Sequence, residues 1–297
     1  MIDLPTASYF AHKDVSPFVE LGAYEWLWLH QVDSFRAYAQ LARNQPGLLP
    51  SELVAESVAR TSAREALRCL AKGGVGNFGI RVDGAGEYPA RLRDAADPPA
   101  LLWYQGWWDL VNAPRSVSVV GTREITDKGI RRTRKLVRLL AQHNCVIFSG
   151  LARGVNAVAH QTAIESGGAT VAVAATPISD CDLKADIKLQ RRIATEFLLI
   201  SQVPVLRYLK QDPRQNRSFF AERSRTMSAL VSATIIVEAG EISGTVIQAQ
   251  AALDQGRKLF ILNGCFDKPG LTWPARLEAL GAIRVREYEQ ILDAVCV

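Results

Sequence analysis

The sequence predicts an α/β fold, a mostly parallel sheet with helices on both faces, plus a small N-terminal helical domain. Three observations carry that expectation. From Arg115 onward, short apolar runs (SVSVVG, CVIFSG, GATVAVAA, ATIIVEA, KLFILNG) alternate with longer segments of helical character. The runs are continuously apolar and β-branched, as in strands buried on both faces, and parallel strands need crossover helices between them. Small residues close most of the runs, as tight strand-to-helix turns require.

Residues 1–75 are expected to form the helical domain. In LGAYEWLWLHQVDSFRAYAQLA, apolar and aromatic residues recur at helical spacing, with Trp26, Leu29, Phe35 and Tyr38 as the expected core stripe. SELVAESVARTSAREALRCLAKGG follows as a second helix, with Ser51 as its expected N-cap and Gly73-Gly74 as its end. Such a helix pair can read DNA, but Glu52, Glu56 and Glu65 offset Arg60, Arg64 and Arg68. No clean basic face results, so a packing or partner-binding role is expected. Residues 76–114 are rich in Gly, Pro and Trp and hold only short strand candidates. They read as a connecting, covering segment, with Trp103, Tyr104, Trp107 and Trp108 buried against the following sheet rather than stacked on nucleobases.

Residues 115–297 form the expected Rossmann-like domain. SVSVVG leads through GTREITDKG into the helix IRRTRKLVRLLAQHN, and CVIFSG leads through LARG into VNAVAHQTAIESG. After GATVAVAA, the stretch LKADIKLQRRIATEFLLIS reads as helical, PVLRYLKQDPRQNRS as a connection and FFAERSRTMSALVS as a helix. ATIIVEA, GEISG and TVIQAQAALDQG make a further strand, turn and helix, followed by KLFILNG with WPARLEALG and by AIRVRE with EYEQILDAV.

Composition bounds the function. Thirty-five basic against 30 acidic side chains give a formal charge of +5, which permits nucleic-acid binding without requiring it. Cys69, Cys145, Cys181, Cys265 and Cys296 are scattered and odd in number, with no C-x-x-C pair, so neither a disulfide framework nor a metal site is expected. The first residues lack the pattern of a signal peptide and no apolar stretch has membrane-spanning length, so a cytoplasmic protein with reduced thiols and no membrane partner is expected.

In an open parallel sheet, ligands bind outside the carboxyl ends of the strands. Here those ends carry Gly121-Thr122-Arg123, Ser149-Gly150-Leu151-Ala152-Arg153-Gly154, Ala175-Thr176-Pro177, Glu238-Ala239-Gly240 with Ser243-Gly244-Thr245, and Asn263-Gly264. Glycine lets backbone approach a ligand closely, while hydroxyls and helix N-terminal amides suit phosphate oxygens. Arg123 and Arg153 add charge-assisted donors in the same loops. An anion site is expected there. Neither G-x-G-x-x-G nor the phosphate loop of NTPases is present, and no catalytic constellation stands out, so the reading is not an enzyme and no cofactor is expected.

Two basic runs flank these loops: Arg131, Arg132, Arg134, Lys135 and Arg138, and Arg207, Lys210, Arg214, Arg217, Arg223 and Arg225. Either alone is as readily a solvated face, but beside a phosphate loop such runs let a polyanion continue past one phosphate. Phe219 and Phe220 read as core contacts of a helix start, with base stacking as the other use, and His160 reads as a hydrogen-bonded supporting residue on a packed helix.

From Tyr88 to the end the chain resembles the DNA-processing protein family DprA, also called Smf. The resemblance rests on YPARLRDAADPPALLWYQG, VSVVGTRE, the S-G-L-A-R-G-x-x-x-x-A-H segment, FFAERSRTMSALVS and the V-E-A-x-x-x-S-G-T segment, in order and spacing. It implies a Rossmann-like domain that binds single-stranded DNA, usually as a homodimer, and that helps load a RecA-type recombinase. It places Gly121, Thr122 and Arg123 with Ser149, Gly150, Arg153 and Gly154 on phosphate-contacting loops, Arg223 and Arg225 on a basic R-x-R stretch, and Ser243, Gly244 and Thr245 on the last glycine loop.

Four departures stand against the family pattern: Ser224 replaces an Asn between the two arginines, SDCDLKAD replaces a Tyr-Pro segment, the N-terminal helices do not clearly copy the usual ones, and with the sequence ending at Val297 the winged helix of many members is not expected. An altered DNA groove over residues 176–218 is therefore expected. Two other readings remain open. One is a nucleotide-binding regulator or antitoxin of a phage-defence locus with a toxin partner. The other is a nucleotide phosphoribohydrolase like the LOG family, for which Glu238 and Glu241 are the only candidate carboxylates.

Overall fold

The computed structural model describes residues 15–43, 47–181 and 187–295. The chain opens with α1 (Pro17–His30), α2 (Phe35–Arg43) and α3 (Glu56–Lys72). Tyr24, Leu27 and Trp28 of α1 are fully buried, with Phe35 and Tyr38 of α2, whereas Trp26 and Leu29 are only half-buried. The expected stripe is thus corrected at Trp26 and Leu29. Apolar residues surround α1 on nearly every side, and a helix enclosed in this way offers no single periodic face to read. At Gly22 a Cβ would lie 1.8 Å from the Ala59 carbonyl oxygen, so α1 and α3 cross in backbone contact.

Ser51 is not the N-cap of α3. That helix begins at Glu56, and Ser51 lies in a preceding 3-10 turn, Pro50–Glu52. There its backbone N–H and hydroxyl donate to the Glu20 carboxylate at 3.0 and 2.5 Å, so the serine ties the turn to α1 instead.

The remaining elements are β1 (Gly79–Val82), α4 (Ala90–Arg93), β2 (Leu101–Gly106), β3 (Ser116–Val120), α5 (Asp127–Gln142), β4 (Val146–Gly150), α6 (Val155–Glu165), β5 (Thr170–Ala174), α7 (Ile187–Glu196), β6 (Leu198–Ser201), α8 (Val205–Lys210), α9 (Ser218–Leu230), β7 (Ala233–Ile236), α10 (Gly244–Asp254), β8 (Lys258–Leu262), α11 (Trp273–Ala279), β9 (Ile283–Val285) and α12 (Glu289–Val295). They build one nine-stranded sheet in the order β1-β2-β6-β5-β4-β3-β7-β8-β9. From β6 to β9 every pairing is parallel, while β1 pairs antiparallel with β2, and β2 with β6. The α/β fold with a mostly parallel sheet is therefore present.

Two local expectations change. The LLIS at the end of the stretch read as helical is β6, and PVLRYLKQDPRQNRS contains α8. Trp103 and Trp108 are buried as expected and Tyr104 is half-buried, but Trp107 is 68% exposed because the positive φ of Gly106 turns the chain out at the strand end.

The connectivity positions the site. From β3 the chain winds outward through β4, β5 and β6, then returns to place β7 on the other side of β3. Neighbouring crossovers diverge at such a reversal and leave a crevice at the strand ends. His160 of α6 is fully buried, its ring nitrogens 2.7 Å from Thr170 Oγ1 and 3.2 Å from the Gly150 carbonyl oxygen, so it braces β4 against β5 as a supporting residue.

Candidate nucleic-acid interface

A cleft of about 840 Å³ opens where β3 and β7 end. Its floor begins with Gly121 and Thr122, and the Thr122 N–H donates to the Glu238 carbonyl at 2.7 Å. A Cβ at Gly121 would lie 2.5 Å from that same oxygen, so the two strand ends touch. Gly154 holds φ +79°, and a Cβ there would stand 2.1 Å from the Thr122 carbonyl oxygen. Only glycine lets the β4–α6 loop close on the β3–α5 loop. On the β7 side, Ser243 caps α10 by accepting the Thr245 N–H at 3.2 Å, and Ser243, Gly244 and Thr245 line the cleft.

The opposite wall is α9 and the segment before it: Tyr208, Pro213, Asn216, Arg217, Phe220 and Arg223. Arg123, exposed on the β3–α5 loop, places its guanidinium 5.6 Å from the centre of the Phe220 ring, joining the two walls. Arg223 is half-buried, and its Nη1 donates to the Val173 carbonyl at 3.3 Å. That nitrogen occupies the space above Gly150, where a Cβ would fall 1.5 Å away. Beside it, Asn156 is buried, lines the cleft and leaves its Oδ1 without a hydrogen-bond partner.

The residues singled out in the sequence therefore divide. Gly121, Thr122, Arg123, Arg223, Ser243, Gly244 and Thr245 come together around the cleft. Ser149, Gly150 and Gly154 lie behind it, the Ser149 hydroxyl donating to the Val119 carbonyl at 2.7 Å. Arg153 and Arg225 are exposed and outside the lining, and Arg225 pairs with Glu222 on its own helix. The two phenylalanines also divide: Phe219 is core, packed near Trp28 and Phe35, while Phe220 faces the cleft.

Sequence reasoning missed Tyr208, Asn156, Asn216 and Gln248. Asn156 carried a readable signal, as a polar residue in the first turn after Gly154. Ser224 reaches the cleft wall but turns its hydroxyl back to the Phe220 carbonyl at 3.0 Å. Of the SDCDLKAD stretch, residues 182–186 lie outside the described residues.

The two carboxylates weighed for catalysis serve as loop anchors. Glu238 accepts the N–H and hydroxyl of Thr126, the N-cap of α5, at 3.3 and 2.9 Å. Glu241 accepts the N–H of Thr272 at 2.9 Å and its hydroxyl, and these bonds hold its carboxyl below the ordinary range. Among the described residues no cluster of His, Cys, Asp and Glu is arranged to hold a metal ion, and no helix is long and apolar enough to cross a membrane.

The model of the family described as DNA recombination-mediator protein A matches residues 80–296. The chain belongs to this family, the DprA family. A DNA processing protein DprA from Bacillus subtilis is 30% identical over 207 residues, spanning 70% of this chain and 68% of the relative. DprA from Streptococcus pneumoniae is 34% identical over 178 residues, 60% of each chain. Its X-ray structure matches with a TM-score of 0.66 at 25% identity, over 95% of this chain and 94% of that one. A structure of DNA processing protein A from Helicobacter pylori, which describes that protein's single-stranded DNA binding mode, matches with a TM-score of 0.61 at 23% identity, over 73% of this chain and 94% of that one. The DprA family model begins at β1, whereas the pneumococcal DprA match takes in the N-terminal helices as well.

Proposed function

We propose that this chain binds single-stranded DNA in the cleft at the ends of β3 and β7. The observation that carries the reading is the pairing across the cleft of Arg123 with Phe220, above a floor holding the Arg223 guanidinium. Glycine loops and the capped start of α10 supply backbone donors for phosphate, the two arginines supply charge, and the Phe220 ring supplies a face for one base. Such contacts hold a backbone with little sequence readout. Family membership and the single-stranded DNA binding of the Helicobacter pylori relative support the same ligand. The protein acts in the cytoplasm as a non-catalytic binding module, as a homodimer that passes the strand to a RecA-type recombinase. The expected lining is the set Gly121, Thr122, Arg123, Arg223, Ser243, Gly244 and Thr245, shaped by residues 208–217 on the altered wall.

Fluorescence anisotropy with a labelled oligothymidylate tests the reading. Binding should weaken steeply with salt, resist competition by duplex DNA and by nucleoside monophosphates, and fall at least tenfold in Arg123→Ala and Arg223→Ala. Normal binding by both variants, or equal competition by a mononucleotide, would overturn it.

A further inference from the structure

Helix α5 leaves the rim of the cleft with its N-cap Thr126 held by Glu238, and its outer surface carries charge that the cleft does not use. Gly129, Thr133, Leu136, Val137 and Leu140 turn inward. At 100° per residue, Lys128, Arg131, Lys135 and Arg138 then fall on the opposite side, with Arg134 on its flank, and all five are exposed. They form a ridge about 15 Å long at the rise of an α-helix. The helix holds six of the chain's 35 basic residues and one of its 30 acidic ones, so it accounts for the whole formal charge of +5 and the rest of the chain is neutral.

Other exposed helices carry an excess of cations too but pair part of their charge: on α3 Glu56 holds Arg60 and Glu65 holds Lys210 of α8, and on α7 Glu196 holds Arg192. The α5 ridge does not. Among the described residues, none of its five cations has a carboxylate within ion-pair distance. Glu124 and Asp127 near the helix start, and Glu287, Glu289 and Asp293 on and before α12, stay unpaired with it, and Lys135 rests 5.3 Å from the Tyr288 ring instead. Like charges at i,i+3 and i,i+4 repel, and a bound polyanion relieves that repulsion.

We infer that the outer face of α5 is a second contact for nucleic acid, a track that carries the backbone of a single strand onward after it leaves the cleft. This rests on the reading of the cleft as a single-stranded DNA site. The ridge takes several consecutive phosphates and no bases, because it presents cations and no exposed aromatic face. Only a strand longer than the cleft reaches it.

The test compares the intact protein with the variant Lys128→Gln, Arg131→Gln, Arg134→Gln, Arg138→Gln, and with a control of equal charge loss on α3, Arg60→Gln, Arg64→Gln, Arg68→Gln, Lys72→Gln. Each is titrated with oligothymidylates of about 6 and about 30 nucleotides between roughly 50 and 200 mM salt. The ridge variant should bind the short oligomer as the parent does. For the long one, its log–log salt slope should drop by about 3, from roughly 0.7 per lost phosphate contact, while the α3 control keeps the parental slope. An unchanged slope with the long oligomer, or an equal drop in the α3 control, overturns the proposal. So does loss of binding to vesicles of anionic phospholipid with DNA binding intact. If the parent binds neither oligomer, the cleft reading itself fails, which is a separate outcome.

Discussion

The carboxylate of Glu25, on α1, accepts the backbone N–H of Val205 at 2.8 Å, and its second oxygen accepts that of Leu206 at the same distance. A side chain from the N-terminal helices thus completes the first turn of α8, and α8 carries Tyr208 to the cleft wall. Glu25 is fully buried, so these two donors are its compensation for losing water.

Glu25→Ala should destabilise the fold by about 2–4 kcal/mol, the cost of leaving two buried amides unsatisfied. Burial pushes the Glu25 carboxyl up to about 7, with the two amides opposing the shift. Because the folded value lies above the unfolded one, the native state holds an extra proton between pH 4.5 and 7, and stability falls as pH rises through that window. Urea melts of the parent and of Glu25→Gln across that window should therefore diverge, the parent losing stability relative to the variant toward high pH.

His160 gives the opposite slope. Burial lowers its ring to about 4, from an ordinary value of 6.5, with the Arg223 charge acting in the same direction. The unfolded chain takes up a proton first, so stability is lost as pH falls from 6.5 toward 4. Replacing His160 with Gln should flatten that acid limb of the melting-temperature profile.

Gly154→Ala should cost about 1–3 kcal/mol through its positive φ, before the contact with the Thr122 carbonyl is counted. The β3–α5 loop must shift to admit the methyl, so DNA affinity should fall together with the melting temperature. Binding that survives at parental strength would show that the loop is not part of the interface.

Gly150→Ala and Arg223→Ala should be strongly non-additive. The alanine methyl at 150 occupies the place of the Arg223 guanidinium, so either change removes the same group from the floor of the cleft. A double-mutant cycle on oligonucleotide affinity should find the pair no weaker than Arg223→Ala alone.

The strands β3, β4, β5, β7 and β8 were legible because buried parallel strands are continuous apolar runs, whereas β9, an edge strand with Arg284 at its centre, was legible from its place in the alternation of strands and helices. β6 was not, since Leu198–Ser201 follows α7 with only Phe197 between them and no turn residue marks the change. The glycines at 121, 150 and 154 were legible as strand ends, but their individual contacts depend on long-range approach. Arg223 and Arg225 looked equivalent in sequence, yet residues two apart on a helix differ by about 200°, so one enters the cleft and the other meets Glu222 in solvent. Ser51 shows the same limit: a serine before a helix is a local signal, and Glu20 on another helix redirects it.

The antiparallel pairing of β2 with β6 has a consequence during biosynthesis. Nearly a hundred residues separate Gly106 from Leu198, and Glu25 waits still longer for Val205. At roughly 10 residues per second, a ribosome takes on the order of ten seconds to deliver the missing partners. Until then the nascent chain holds Trp28 and Trp103 without their final burial and β2 with one unsatisfied edge, which makes the synthesis of residues 107–198 the interval in which a chaperone has most to shield.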